Sequence, residues 1–383
     1  MSALSLQSKL PHVGTTIFST MTQLALQHNA INLAQGFPDF GCPEELLELV
    51  TQAMHQGHNQ YAPSTGLLAL RQKISEKTQL MYGHLPHQDH EVTVTSGATE
   101  ALFAAIAAVV QPGDEVLVVE PCYDSYVPAI ELCGGVPVYA SLTYPDFSID
   151  WQQIEDKLTP KTRLLLLNSP HNPTGAVWQQ QDLDALQRLA EKHSFLILSD
   201  EVYEHMVFDG KPHLSILSVP ALAERAFVIS SFGKTYHTTG WKVGYCIAPP
   251  ALTAEFRKVH QYLTFSTATP FQHGLAGFLD NQKHYQQLPA FYQQKRDLFA
   301  QLLQPSKFEL IPCAGTYFQL ARYTAISDLP DVEFAQWLTK EAGVATIPIS
   351  VFYHDQTDHR VVRFCFAKKE ETLRAAAERL CRL

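Results

Sequence analysis

Between residues 91 and 247, short β-rich runs alternate with longer amphipathic stretches, and this alternation limits the possible folds more than any other feature of the chain. The runs are Val92–Thr95, Val116–Glu120, Val136–Tyr139, Arg163–Asn168, Phe195–Ser199, Ala226–Ser230 and Val243–Ile247. Two of them contain VLVV at 116–119 and LLLL at 164–167, unbroken apolar strings that mark strands covered on both faces. Helical patterns such as Thr99–Val110 and Gln181–His193 lie between the runs. This order predicts an α/β fold, a three-layer α/β/α arrangement around a mostly parallel seven-stranded sheet.

The texture changes near residue 250. Long helical patterns run from Pro250 to Tyr262 and from Pro270 through Leu303. Strand candidates follow near Gly315–Ala321 and Val361–Phe366, with a last helix from Glu370. A smaller α+β domain is expected here, and 383 residues are enough for two domains. The expected division is a large domain over 36–280 and a small one built from 1–35 plus 281–383.

Composition removes several classes of function. With 46% hydrophobic and 17% charged residues the chain is an ordinary globular protein, not a disordered one. Lys and Arg number 28 against 38 Asp and Glu, a net charge of −10 with no basic run, which disfavours nucleic acid and anionic membranes. The longest apolar run, Ala101–Val110, is about half of what a membrane span needs. The opening MSALSLQSKLPHV lacks the charged and apolar regions of a secretory signal. Seven scattered cysteines without a CxxC pair predict buried reduced thiols and a cytoplasmic location. The 17 histidines show no HxxxH or HExxH spacing, so no metal site is expected.

Nucleotide folds are the first candidates for an α/β sheet, but GxGxxG, GxxxxGK[ST] and GxSxG are all missing. What remains are polar segments at the predicted C-terminal ends of strands, where open α/β sheets bind ligands. Ser96–Glu100 joins a strand to a helix through small residues, a place where backbone N–H groups can grip a phosphate. Asn168–Gly175 and Asp200–Tyr203 follow the next strands. Taken singly, these three are also a packing turn, a Pro-rich turn and a helix cap. The fourth, Ser230–Gly244, carries Lys234 at a strand-to-loop junction amid Ser, Gly and aromatic residues. Burial there lowers a lysine's pKa and suits it to Schiff-base chemistry. A buried structural lysine is the alternative, and the joint presence of the four segments speaks against it.

Lys234 with its flanks, the turn at 172–175 and the DxxY at 200–203 resemble fold-type I, class I/II pyridoxal-5′-phosphate aminotransferases over essentially the whole chain. The chain is most similar to the kynurenine aminotransferase/glutamine transaminase K branch and, within it, to bacterial methionine aminotransferases. The strings that carry this are Gln35–Phe40, Asn59–Tyr61, Ser231–His237, Gly240–Gly244, His260–Phe265 and Ile347–Tyr353.

The resemblance implies a role for each matching position. Lys234 links to the cofactor as a Schiff base and, once freed by substrate, moves the proton between Cα and C4′. Asp200 pairs with the ring nitrogen, Tyr203 and Asn172 with the ring oxygen, and Tyr123 stacks on the ring face. Ala98, Thr99, Ser231 and Lys242 hold the phosphate, and Tyr61 reaches the phosphate of a neighbouring subunit, which implies a homodimer. Arg363 holds the substrate carboxylate bidentately, helped by Asn172 and the Gly36 N–H. Phe18, Tyr61, Tyr123, Phe265 and Phe352 are expected around the substrate side chain. Two departures matter: Lys242 stands where many class I enzymes have Arg, and no second arginine is assignable to a distal carboxylate. The second departure argues for an uncharged donor such as methionine or an aromatic amino acid, with a 2-oxo acid as acceptor. A cysteine-S-conjugate or cystathionine β-lyase on the same residues is the alternative. A cofactor-binding regulator is a further one, disfavoured by the short N-terminus and the intact Lys234.

Overall fold

The alternating apolar runs do form one sheet. In the computed structural model, which describes residues 6–383, its strands are β1 (Val92–Thr95), β2 (Glu115–Glu120), β3 (Val136–Ser141), β4 (Thr162–Asn168), β5 (Leu196–Asp200), β6 (Ala226–Ser231) and β7 (Gly244–Ile247). Their order is β1-β7-β6-β5-β4-β2-β3. All neighbours are parallel except those of β7, which runs against both β1 and β6.

Both faces of the sheet are covered, which explains the unbroken apolar strings. Side chains alternate across a strand, so Leu164 and Leu166 enter one core while Leu165 and Leu167 enter the other. The first core is closed by the Gly97–Val109 and Pro250–Leu263 helices, through Ala101, Ala105 and Phe256. The second is closed by Gln180–Lys192 and Leu68–Tyr82, through Leu183, Leu186, Leu70 and Ile74.

Beyond residue 280 a four-stranded antiparallel sheet takes the order Ile347–Pro348, Val361–Cys365, Phe318–Arg322, Glu309–Leu310. The helices Leu288–Leu303 and Glu370–Leu380 pack together beside it. Ile31–Asn32 pairs in parallel with Val344–Ala345, tying the start of the chain to this region.

Two features differ from expectation. The pattern from Pro270 through Leu303 is not continuous but divides into Thr269–Phe278, Lys283–Gln286 and Leu288–Leu303. Asn281 Oδ1 accepts from the Lys283 N–H and starts the middle turn, and Pro289 opens the last helix, where its missing N–H costs nothing. Three N-terminal helices, Ile17–Gln27, Glu44–His55 and Leu68–Tyr82, stand where no element was expected; Glu44–His55 buries a helical stripe of Leu46, Val50 and Ala53, whereas Leu68–Tyr82 carries no clean apolar stripe. Among the described residues, no helix is long and apolar enough to cross a membrane.

Candidate active site

The register of the large sheet sets up the site. Asn168 at the end of β4 is level with Asp200 at the end of β5, and Ser231 at the end of β6 is level with Gly244. Because β7 is reversed, its first residue meets the last residues of its neighbours, and Gly244 also pairs with Thr95 at the end of β1. Five strands therefore deliver polar or small residues to one rim of the sheet. A cavity of about 190 Å³ opens there, lined by Ala98, Thr99, Tyr123, Asn172, Asp200, Tyr203, Ser231, Lys234 and Lys242 among others.

One end of the cavity is an anion cradle. Gly97 takes the left-handed conformation (φ +79°), and a Cβ there would lie 3.1 Å from Lys242 Cε. At Gly244 a Cβ would lie 3.0 Å from the Ala98 nitrogen. Both glycines let the first turn of the Gly97–Val109 helix sit close to β7, with the N–H groups of Ala98 and Thr99 at the positive helix end. Lys242 is itself left-handed (φ 55°), a conformation that costs a lysine about 1–2 kcal/mol, and its side chain lies over Gly97. Ser231 adds a hydroxyl beside them.

A buried carboxylate marks the other end. Asp200 is buried, and its Oδ2 accepts from the Tyr126 hydroxyl at 2.7 Å and its Oδ1 from the Val202 N–H at 3.2 Å. Burial pushes its pKa up to about 6 against these hydrogen bonds, so it stands ready to favour a cationic partner. Asn168 donates to the Asp200 carbonyl at 2.7 Å and accepts from the Asn172 N–H at 2.8 Å, fixing the turn that follows β4. Tyr203 is buried and packs edge-on against Tyr317, ring centroids 5.1 Å apart. Tyr123 packs edge-on against Tyr126 at 5.6 Å.

Lys234 lies between the two ends. Burial, first, and the like charges of Arg363 and Lys242 pull its pKa down to about 8, against Cys365 and Asp200. Its Nζ donates to the Gly36 carbonyl at 3.3 Å and to the Tyr317 hydroxyl at 3.1 Å.

Arg363 stands one hydrogen bond from the cavity. It is 1% exposed, donates from Nη1 to Asn172 Oδ1 at 2.7 Å and from Nη2 to the Ala34 carbonyl at 3.3 Å. Its Nε is buried without a partner. The ring centre of Phe318 lies 3.8 Å from the guanidinium carbon, and the ring centres of Phe18 and Phe352 each lie 5.5 Å away. A buried cation this poorly matched is expensive unless an anion completes it.

Most of the residues expected at the site therefore line or border this cavity. The Gly36 carbonyl accepts from Lys234 Nζ. Tyr61, 80% exposed, and Phe265, 54% exposed, lie outside this chain's own cavity, packed edge-on at 5.0 Å. Phe265 follows the Pro250–Leu263 helix in a left-handed conformation (φ 65°) that ends the helix, and its ring stays at the surface. Four contributors carried no assigned role in the sequence: Tyr126, Asn168, Tyr317 and Phe318. Asn168 belongs to the Asn168–Gly175 turn and Tyr317 and Phe318 to the Gly315–Ala321 strand candidate, whereas Tyr126 falls in no segment singled out from the sequence.

A phosphate-sized cradle, an amine of lowered pKa and a buried carboxylate around one cavity form the donor set that pyridoxal 5′-phosphate requires: one group for its phosphate, one for its aldehyde, one for its ring nitrogen. Together with the three-layer fold they define a fold-type I enzyme dependent on this cofactor. Comparison with known proteins is more specific. The family model for aminotransferase class I and II matches residues 28–380. Methionine aminotransferase of Escherichia coli is 56% identical over 378 residues, 98% of either chain. The crystal structure of YbdL from Escherichia coli, described as a methionine aminotransferase, superposes with a TM-score of 0.97 over 99% of this chain and all of that one, at 56% identity. N-succinyldiaminopimelate aminotransferase of Mycobacterium tuberculosis superposes with a TM-score of 0.95 at 38% identity, covering 98% and 99% of the two chains. The chain belongs to the class I and II aminotransferase family, whose cofactor is pyridoxal 5′-phosphate.

Proposed function

We propose that this aminotransferase takes its amino group from methionine or an aromatic amino acid and passes it to a 2-oxo acid in two half-reactions at the one cavity. The observation that carries the reading is Arg363, a buried guanidinium with an unpartnered Nε among Phe18, Phe318 and Phe352. Such a group suits an α-carboxylate, and its aromatic surroundings suit an uncharged side chain. The 56% identity to the methionine aminotransferase of Escherichia coli supports methionine in particular.

Bound at this site, the cofactor supplies an aldehyde that links to amines and a ring that takes up the electron pair left when Cα loses its proton. The chain's own residues then divide the work. Lys234 provides the linking amine and, when free, the base: with a pKa of about 8 much of it is neutral in mildly alkaline solution. Asp200 would hold the ring nitrogen, Tyr203 and Asn172 the ring oxygen, and Tyr123 the ring face. Ala98, Thr99, Ser231 and Lys242 would hold the phosphate. Gly36 and Asn172 would help Arg363 to orient the substrate.

The reading extends to assembly and place. A homodimer in which Tyr61 reaches the neighbouring site is supported by the exposed Tyr61, Tyr262, Leu263 and Phe265, with Tyr61 and Phe265 packed edge-on at the surface. A cytoplasmic location is supported by seven cysteines, all free. The division into 36–280 and 1–35 plus 281–383 is supported by the parallel pair Ile31–Asn32 with Val344–Ala345; residues 1–5 lie outside the described residues.

The test is a comparison of kcat/KM for L-methionine, L-phenylalanine, L-aspartate and L-glutamate with a common oxo acid. The uncharged donors should lead by about 10²-fold or more, the scale of a desolvated charge left without a partner. A preference for aspartate or glutamate would overturn the assignment.

A further inference from the structure

A lysine that serves as link and as base must be free for part of each cycle, and a free four-carbon stem has many rotamers. Something has to aim its amine. Two oxygens converge on Lys234 Nζ, the Gly36 carbonyl at 3.3 Å and the Tyr317 hydroxyl at 3.1 Å. The Tyr317 hydroxyl also donates its own proton to the Gly36 carbonyl. With that proton committed, Tyr317 Oη meets the lysine only as an acceptor, as the carbonyl must.

The arithmetic of a neutral amine gives this triangle its meaning. Such an amine has two N–H bonds and one lone pair. Two acceptors take the N–H bonds and leave the lone pair uncommitted; a donor in either place would cap it. We propose that Tyr317 and the Gly36 carbonyl form a two-point rest that holds both N–H bonds of the free Lys234 amine and keeps its lone pair available to the substrate Cα proton. When that proton is taken, a C–H bond breaks and a third N–H bond forms, and the two bonds to the rest stay in place. Tyr317 is thus a positioning residue, acting through Lys234.

Both arms of the rest are rigid. Tyr317 is wholly buried, with its ring edge-on to Tyr203 at 5.1 Å and to Phe318 at 4.9 Å. The Gly36 segment is tied from another part of the chain: Lys368 Nζ donates to the Phe37 carbonyl and the Thr372 hydroxyl to Asp39 Oδ2. The lowered pKa of Lys234 agrees with an amine kept neutral for part of its work.

The inference rests on the aminotransferase reading and is tested with Tyr317→Phe, which keeps the ring and removes the acceptor. In the holoenzyme, the half-reaction with L-methionine should slow about 10- to 100-fold, the cost of a slightly misplaced reacting group, and its α-deuterium isotope effect should rise. In cofactor-free protein, the pKa of Lys234, read from the pH dependence of its acetylation by mass spectrometry, should fall below the parent value, because the ammonium loses an acceptor. Tyr292→Phe removes a buried hydroxyl that serves His237 at 2.9 Å and should behave like the parent. An unchanged half-reaction and an unchanged lysine pKa would overturn the proposal, as would an equal loss in Tyr292→Phe or a loss confined to cofactor affinity. Because the acetylation experiment uses no amino donor, it still decides on Tyr317 if the parent fails to react with methionine.

Discussion

Two sets of buried charge flank the Asp200–His205 segment, and they are built on opposite terms. Toward the Leu68–Tyr82 helix, Glu204 is almost fully satisfied: Lys77 Nζ lies 2.8 Å from its Oε2 and the Tyr245 hydroxyl 2.9 Å from its Oε1, with Tyr82 and Ser230 donating as well. Burial pushes this carboxyl up, but Lys77, His205 and the hydrogen bonds outweigh it and hold it well below the usual carboxylate range. Among the described residues, His205 Nε2 and the Tyr236 hydroxyl are buried there without a hydrogen-bond partner. Toward the cavity the terms reverse. Asp200 is raised to about 6, Lys234 is lowered to about 8, and Arg363 keeps an unpartnered Nε. A closed network stabilises the fold, whereas an open one is held in readiness for groups that arrive from outside. The segment between them carries Asp200 on one side and Glu204 on the other, so the closed set braces the open one.

Substitutions can break this contrast. Lys234→Ala should lower amino transfer by at least about 10⁴-fold, since both link and base are lost, while the thermal midpoint stays near the parent value; steady-state rates and a melting curve check both halves. Lys77→Met should do the opposite, leaving Glu204 buried without its cation at a cost of about 3–5 kcal/mol, seen as a much lower thermal midpoint. Adding Glu204→Gln to Lys77→Met removes the uncompensated charge while keeping an acceptor for the Tyr82, Ser230 and Tyr245 hydroxyls, and should restore much of that loss. Arg363→Leu should leave stability unchanged or raise it, because an incompletely matched buried cation disappears, yet lower kcat/KM for L-methionine by about 10²-fold. If Arg363→Leu instead melted the protein, Arg363 would belong with the closed set.

The pH dependence sharpens the same point with a smaller effect. Lys234 attacks an aldehyde only as the neutral amine, and its pKa lies at about 8. Recombination of cofactor-free protein with pyridoxal 5′-phosphate should therefore speed up as pH rises, reach half its limit near the lysine pKa of about 8 and level off roughly one unit higher. A plateau reached only above about pH 10 would mean that Lys234 is an ordinary solvated lysine.

The large sheet was legible because strands buried on both faces carry unbroken apolar strings. The Leu68–Tyr82 helix was hidden for the reason that makes it useful. It buries Arg71, Ser75, Lys77 and Thr78 beside Leu70 and Ile74, so no clean apolar stripe appears. Lys234, Asp200 and Asn172 stood out as polar residues in turns at strand ends, and Arg363 as a cation inside an apolar strand. Tyr126 and Tyr317 did not, since a tyrosine among apolar residues reads as core until the fold shows what its hydroxyl meets. Tyr61 and Phe265 were legible as members of long motifs, and in the chain they sit together at the surface, ring edge to ring face.

The most direct test is a visible absorbance spectrum of the purified protein, followed by addition of L-methionine with no oxo acid present. The account predicts a visible band from the cofactor joined to Lys234, its loss in a single turnover, and its return when an oxo acid is added. Continued release of thiol and ammonia without an acceptor, or no band at all after pyridoxal 5′-phosphate is supplied, would contradict it.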